Sequence, residues 1–153
     1  MENLVNAAVR VDFYHLTRDP VEKLVPMLAS KSLDVGKRIL LLASDADSRA
    51  TLSKALWSDD PASFLAHDVA GSERQADQPI LISDRCDPAN GAPYGILSDG
   101  YWRDDALAFE RVFFLFSVEQ IDQARTAWRD LTANPDVTPR YWKQDGGRWV
   151  EGP

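Results

Sequence analysis

Residues 36–70 read GKRILLLASDADSRATLSKALWSDDPASFLAHDVA, and this stretch decides the fold class. It begins with a continuous apolar run at residues 39–43, which is typical of a short strand buried on both faces of a parallel sheet. A serine and two aspartates follow closely, so the pattern predicts a helix over residues 45–56 that begins at this turn. A buried strand that leads into a helix is the repeating unit of an α/β sheet.

The alternation of strands and helices extends over the rest of the chain. The patterns predict strands at 9–16, 79–83, 94–99 and 111–116, helices from residue 19 and over 118–131, and a terminal hairpin over 140–150. We therefore predict one α/β domain over residues 1–153, with a flexible lead-in over residues 1–8. Its sheet should be mostly parallel and twisted, with helices on both faces, and Rossmann-like without a nucleotide-binding loop.

The charge balance of the chain is acidic. Its 153 residues include 17 basic and 24 acidic side chains, which gives a formal net charge of −7. This argues against tight direct binding of nucleic acid, which needs a cationic face. No apolar run approaches the roughly 20 residues of a membrane helix, and no secretory signal is recognisable. The single cysteine, Cys86, excludes an internal disulfide or a multi-cysteine metal site. A cytoplasmic protein is expected.

Catalytic and nucleotide-binding motifs are missing at the places where an α/β sheet would carry them. No GxGxxG follows the first strand, and the Gly-Lys at residues 36–37 precedes its strand, unlike a P-loop. His15 lies near a strand end and Ser44 at a strand-to-helix turn, but GxSxG is absent. We favour a structural role for His15 and a helix-cap role for Ser44. For Asp45 and Asp47 we favour acids that interact with the helix dipole over ligands of a Mg²⁺ ion. A small nucleotide-binding or hydrolytic enzyme using His15 and Ser44 remains the alternative; no cofactor or metal is predicted.

Aromatic and basic side chains favour a binding protein. Trp57 and Phe64 flank an acidic loop with a proline, and either packing on the core or docking of a partner explains them. Arg125, Trp128 and Arg129 are neighbours on the last predicted helix. These three residues suit an acidic peptide with an apolar end, since arginines pair with carboxylates and a ring floors an apolar pocket. Core packing of Trp128 with solvated arginines is the simpler interpretation.

Short matches, taken in order, give residues 11–150 a resemblance to the chi subunit family of the bacterial DNA polymerase III holoenzyme. The matching residues are Phe13-Tyr14, Gly36-Lys37-Arg38, Ala55-Leu56-Trp57, Ser63-Phe64, His67, Gln78-Pro79-Ile80, Phe109-Glu110-Arg111-Val112, Ala124-Arg125 and Trp128. None of them is a catalytic motif. The resemblance implies a Rossmann-like fold without known catalysis, in an accessory subunit of the clamp loader.

The resemblance also implies two binding surfaces. One would hold the acidic C-terminal tail of single-stranded DNA-binding protein, which ends in Asp residues and Ile-Pro-Phe. On the family pattern Arg125 and Trp128 line this pocket, with Arg129 as a neighbouring cation. The other surface, at Trp57 and Phe64, would bind the psi subunit or, in some bacteria, a helicase-like partner.

This sequence departs from the family pattern near the tail pocket. Ile121 or Asp122, and Ala127, stand where the family pattern has basic residues. The predicted terminal hairpin offers further cations that are candidates to complete the pocket: Arg140, Lys143 and Arg148.

Overall fold

The computed structural model describes residues 8–58, 65–145 and 147–152. The strands are β1 Val9–Leu16, β2 Ile39–Leu42, β3 His67–Val69, β4 Ile80–Ser83, β5 Tyr94–Leu97, β6 Arg111–Ser117, β7 Val137–Asp145 and β8 Arg148–Glu151. The α-helices are α1 Val21–Asp34, α2 Ala46–Ser58 and α3 Ile121–Thr132, and short 3₁₀ turns lie at Gln75–Asp77, Asp104–Ala108 and Val118–Gln120.

Within the described residues the strands form one eight-stranded sheet in the order β3-β4-β2-β5-β6-β1-β7-β8. All neighbouring strands pair in parallel except β7 and β8, which form the predicted antiparallel hairpin. Parallel pairing requires long crossover connections, and helices supply several of them. The prediction of a mostly parallel, Rossmann-like α/β sheet is confirmed.

Side chains of the sheet contribute to two apolar layers, one on each face. In β2, Ile39 and Leu41 pack into the layer that contains α1 and α2, whereas Leu40 and Leu42 pack into the layer of α3. Successive side chains of a strand point to opposite faces, so the uninterrupted apolar run of β2 reflects burial from both sides. Helices therefore cover both faces of the sheet, as predicted.

The start of α2 differs from the prediction at Ser44. The cap of this helix is Asp45, whose carboxylate accepts hydrogen bonds from the Ser48 backbone N–H at 2.9 Å and the Ser48 hydroxyl at 2.7 Å. The Ser48 hydroxyl, and then its backbone N–H, lower the pKa of Asp45. The prediction of a Ser44 cap was wrong because serine and aspartate cap helices about equally well, and here the aspartate lies one residue closer to the helix.

The edge strand β3, with three residues, was not predicted. It pairs in parallel with β4 through His67, Asp68 and Val69. A segment this short shows no usable period of hydrophobicity, so sequence patterns cannot detect it. Phe64 and residues 1–7 lie outside the described residues.

Candidate functional site

A groove of about 640 Å³ opens between α3 and the adjoining strands β1, β6 and β7. Its lining residues are His15, Phe116, Ile121, Ala124, Arg125, Trp128, Arg129, Tyr141 and Lys143. We call it the α3 groove. Among the described residues, the lining includes three cationic side chains and no carboxylate, although the chain has a net charge of −7. The groove is therefore a local cationic site on an acidic protein.

The cations of the α3 groove are exposed and weakly engaged. Arg125 makes a single loose ion pair with Asp122, at 4.0 Å, and the two side chains are 70% and 97% exposed. Exposed pairs of this kind contribute little. Arg129 and Lys143 are also exposed, and neither makes an ion pair with another described residue. All three charges are available to an anionic ligand.

The Trp128 ring lies partly in the core and partly in the wall of the α3 groove. It packs against the rings of Phe13 and Tyr141, at centroid distances of 5.2 Å and 5.8 Å. In both pairs the ring planes are nearly perpendicular. It is only half-buried and lines the groove with the rest of its surface. Core packing thus fixes the orientation of a ring that forms part of the groove wall.

His15 belongs to the wall of the same groove, at the end of β1. Its ring stacks on Phe116 at 4.9 Å, and its Nδ1 lies 3.1 Å from the hydroxyl of Tyr141. The buried Nε2 atom has no hydrogen-bond partner in the described part of the chain. Burial, followed by the positive charge of Arg125, lowers the pKa of His15. The imidazole is consequently neutral at pH 7 and adds polarity but no charge.

Of the three hairpin cations Arg140, Lys143 and Arg148, Lys143 lines the α3 groove. Lys143 is the parallel register partner of His15 and lies on the same face of the sheet. Arg140 is the register partner of Asp12 on the opposite face and contacts Glu151 at 3.8 Å. Arg148 belongs to the lining of a second groove. The structure thus brings Lys143, but neither arginine, to the predicted cluster on α3.

Trp57 lies in the last turn of α2, about half exposed at 51%. Its ring is 4.8 Å from that of His67. His67 donates from Nδ1 to the carbonyl of Leu65 at 2.9 Å, and its Nε2 lies 2.7 Å from the Ser53 hydroxyl. The Trp57 ring therefore rests on a side chain that is fixed at both nitrogens. Its predicted neighbour in a partner surface, Phe64, lies outside the described residues.

The candidate catalytic residues are not brought together. Ser44 donates to the Asp99 carboxylate at 2.6 Å and accepts from Arg103 at 3.0 Å. Burial raises the pKa of Asp99, but hydrogen bonds from Arg103 and Ser44 outweigh it and leave the pKa lowered. Three strand intervals separate β1 from β2, about 14 Å at the usual spacing, so His15 cannot serve as a base for Ser44. Among the described residues, no three His, Cys, Asp or Glu side chains could hold a metal ion.

Comparison with known proteins identifies the family. The family model of the DNA polymerase III chi subunit, HolC, matches residues 9–135. The chain belongs to the DNA polymerase III chi subunit family. No curated protein matches this chi-family chain. The matched segment includes all of α3 and ends before β7, so the Tyr141 and Lys143 side of the groove lies beyond it. Within the described residues, no helix has both the length and the apolar character that crossing a membrane requires.

Proposed function

We propose that this chi-family protein is a non-catalytic cytoplasmic adaptor that joins the clamp loader of DNA polymerase III to single-stranded DNA-binding protein. In this proposal the α3 groove holds the acidic C-terminal tail of that protein. The observation that supports it most is the arrangement of Arg125, Arg129 and Lys143 around the half-buried Trp128, with no carboxylate among the described lining residues.

The chemistry of the groove suits a peptide with carboxylates followed by an apolar end. Guanidinium groups bind carboxylates through paired hydrogen bonds, and the exposed Arg125 and Arg129 lie one turn apart for this purpose. The rings of Phe116, Trp128 and Tyr141 offer an apolar wall for a terminal phenylalanine. Charge would set the register of the tail, and ring packing would anchor its end.

A second surface at Trp57 would attach the protein to its complex. An exposed tryptophan that rests on a fixed neighbour is a suitable interface anchor. We propose that Trp57, with Phe64, contacts the psi subunit or a helicase-like partner. If so, Trp57→Ala should weaken binding of purified psi subunit and leave tail binding unchanged, because α2 and the α3 groove lie on opposite faces of the sheet.

The tail site is tested by titrating the full chain with a fluorescent peptide of the single-stranded DNA-binding protein tail. We expect a Kd in the micromolar range at low salt. Affinity should fall as salt is added, because the Debye length shrinks from about 10 Å at 0.1 M to about 3 Å at 1 M. A wild-type protein that does not bind at low salt would contradict the proposal.

Arg125→Ala should lower the affinity for the peptide about tenfold. This equals about 1.4 kcal/mol, the size of one charge-assisted hydrogen bond. Arg74→Ala is the matched control, because Arg74 has the same kind of exposed ion pair, with Asp77 at 3.9 Å, outside the groove. Equal losses in the two variants would show that only overall charge matters.

A further inference from the structure

A second groove of about 650 Å³ lies on the opposite face of the sheet, between α1 and the β7–β8 hairpin. We call it the α1 groove. In the part of the chain that the structure describes, its lining contains five aromatic and four basic side chains and no carboxylate. They are Tyr14, Tyr94, Phe113, Trp142 and Trp149, with Arg10, Lys31, Arg111 and Arg148. The tail proposal uses none of these residues.

Two arginines of the α1 groove, Arg10 and Arg111, share hydrogen bonds to one buried acid, Asp12. Asp12 is fully buried and accepts hydrogen bonds from Nε of Arg10 at 3.1 Å, Nε of Arg111 at 2.8 Å, and the indole N–H of Trp142 at 3.0 Å. Both arginines thus use Nε, and their terminal nitrogens make no hydrogen bond to the described residues. A single carboxylate offsets one of the two charges, so a fixed guanidinium pair keeps a net positive charge and free donors.

The rings of the α1 groove are held at fixed angles beside this pair. Trp142 stacks on Tyr14 at 6.2 Å with 12° between the planes, and Trp149 meets Tyr14 edge-on at 5.1 Å. Trp142 and Trp149 remain partly exposed. Across the groove, Lys31 is exposed on α1. Ring surface and free cationic donors therefore face the same space.

We propose that the α1 groove binds a short stretch of single-stranded DNA, with phosphates on Arg10, Arg111 and Lys31 and bases against Trp142 and Trp149. Aromatic platforms beside a cationic track are the common means by which proteins bind single strands without sequence preference. A peptide that is acidic throughout would use the cations but would leave the exposed surface of Trp142 and Trp149 without a partner. The α1 wall from Met27 to Val35 runs for about 12 Å, which suits a few nucleotides.

The net charge of −7 limits this binding. Flanking phosphates would be repelled by the acidic remainder of the surface, so the affinity should be weak and steeply dependent on salt. With three phosphates engaged, log Kobs should fall against log salt with a slope of about −2. This agrees with the prediction from composition that the chain does not bind nucleic acid tightly.

The test is the fluorescence anisotropy of labelled dT12 titrated with the full chain at about 20 mM salt, a low ionic strength at which phosphate contacts are strongest. Lys31→Glu should weaken binding at least about fivefold, since it replaces a phosphate contact by a repulsion. Lys23→Glu is the control, because Lys23 lies on the same helix and is exposed but does not line the groove. Lys31→Glu should bind the tail peptide as the wild type does, which separates this site from the α3 groove.

Three further measurements distinguish a DNA strand from other anionic ligands. Binding of dT12 should quench tryptophan fluorescence, and Trp149→Leu, with folding checked by circular dichroism, should reduce both the quench and the affinity. A 12-residue oligoglutamate that competes as well as dT12 would show that charge alone acts and would overturn the proposal. Free dTMP bound as tightly as dT12 would assign the groove to nucleotides instead of a strand. Absence of dT12 binding, or equal losses in Lys31→Glu and Lys23→Glu, would also overturn it.

Discussion

The α3 groove and the α1 groove combine cations with aromatic rings on opposite faces of the same strands. In the α3 groove two of the three cations lie on a helix surface and make no strong ion pair with described residues. In the α1 groove, Arg10 and Arg111 are paired in register near the start of neighbouring strands and share the buried Asp12. The exposed charges of the first groove can be changed with little effect on folding, whereas in the second groove Arg10 and Arg111 are tied to the stability of the sheet through Asp12.

Among the variants that test this difference, Asp12→Ala should have the largest effect on stability. It would leave two guanidiniums and an indole N–H without their acceptor, so we expect a loss of stability on the order of 3 kcal/mol. Asp122→Ala, which removes the loose partner of Arg125, should change stability by no more than about 0.5 kcal/mol. Urea unfolding of the two variants measures both values. Similar losses would show that the two grooves do not differ in this way.

A smaller effect is expected from Trp128, where the α3 groove does reach the core. Trp128→Ala should lower stability by about 2 kcal/mol, less than for a fully buried ring, and should also abolish measurable binding of the tail peptide. Trp128→Phe should recover most of the stability because it keeps the contact with Phe13. The measurements are urea unfolding and the peptide titration. Unchanged peptide affinity in Trp128→Ala would restrict this ring to a core role.

Local patterns explain which parts of this fold and site could be predicted. The burial of β2 followed from its apolar run, and the cluster of Arg125, Trp128 and Arg129 followed from helical spacing. Which hairpin cation joins that cluster could not be decided, because it depends on the register of β7 with β1. Lys143 joins because it is the partner of His15.

The α1 groove was not predicted, because parallel pairing joins residues that are far apart in sequence. Arg111 and Trp142 reach Asp12 across 99 and 130 residues, and such pairings leave no local pattern. One signal was available: an aspartate within the apolar strand pattern of β1, with an arginine two residues earlier on the same face. A charged residue at a buried strand position needs a partner, which points to such a cluster without naming its members.

The smallest effect concerns the proton of His15. Burial and then Arg125 lower its pKa, so the folded state favours the neutral ring. The contribution of His15 to stability is therefore complete above the unfolded value of about 6.5 and is lost as the pH falls through the lower folded value. Arg125→Gln should raise the pKa of His15 but leave it below 6.5, because burial is the larger cause.

An NMR titration of the imidazole signals measures this shift, since the chain has two histidines and His67→Gln identifies the other resonance. The bound tail should act in the same direction as Arg125→Gln, because its carboxylates would offset the charge of Arg125 and make the imidazolium less unfavourable. A pKa that is the same in wild type, Arg125→Gln and the peptide complex would place the charge of Arg125 away from the groove wall. The tail proposal would then depend on Arg129 and Lys143 alone.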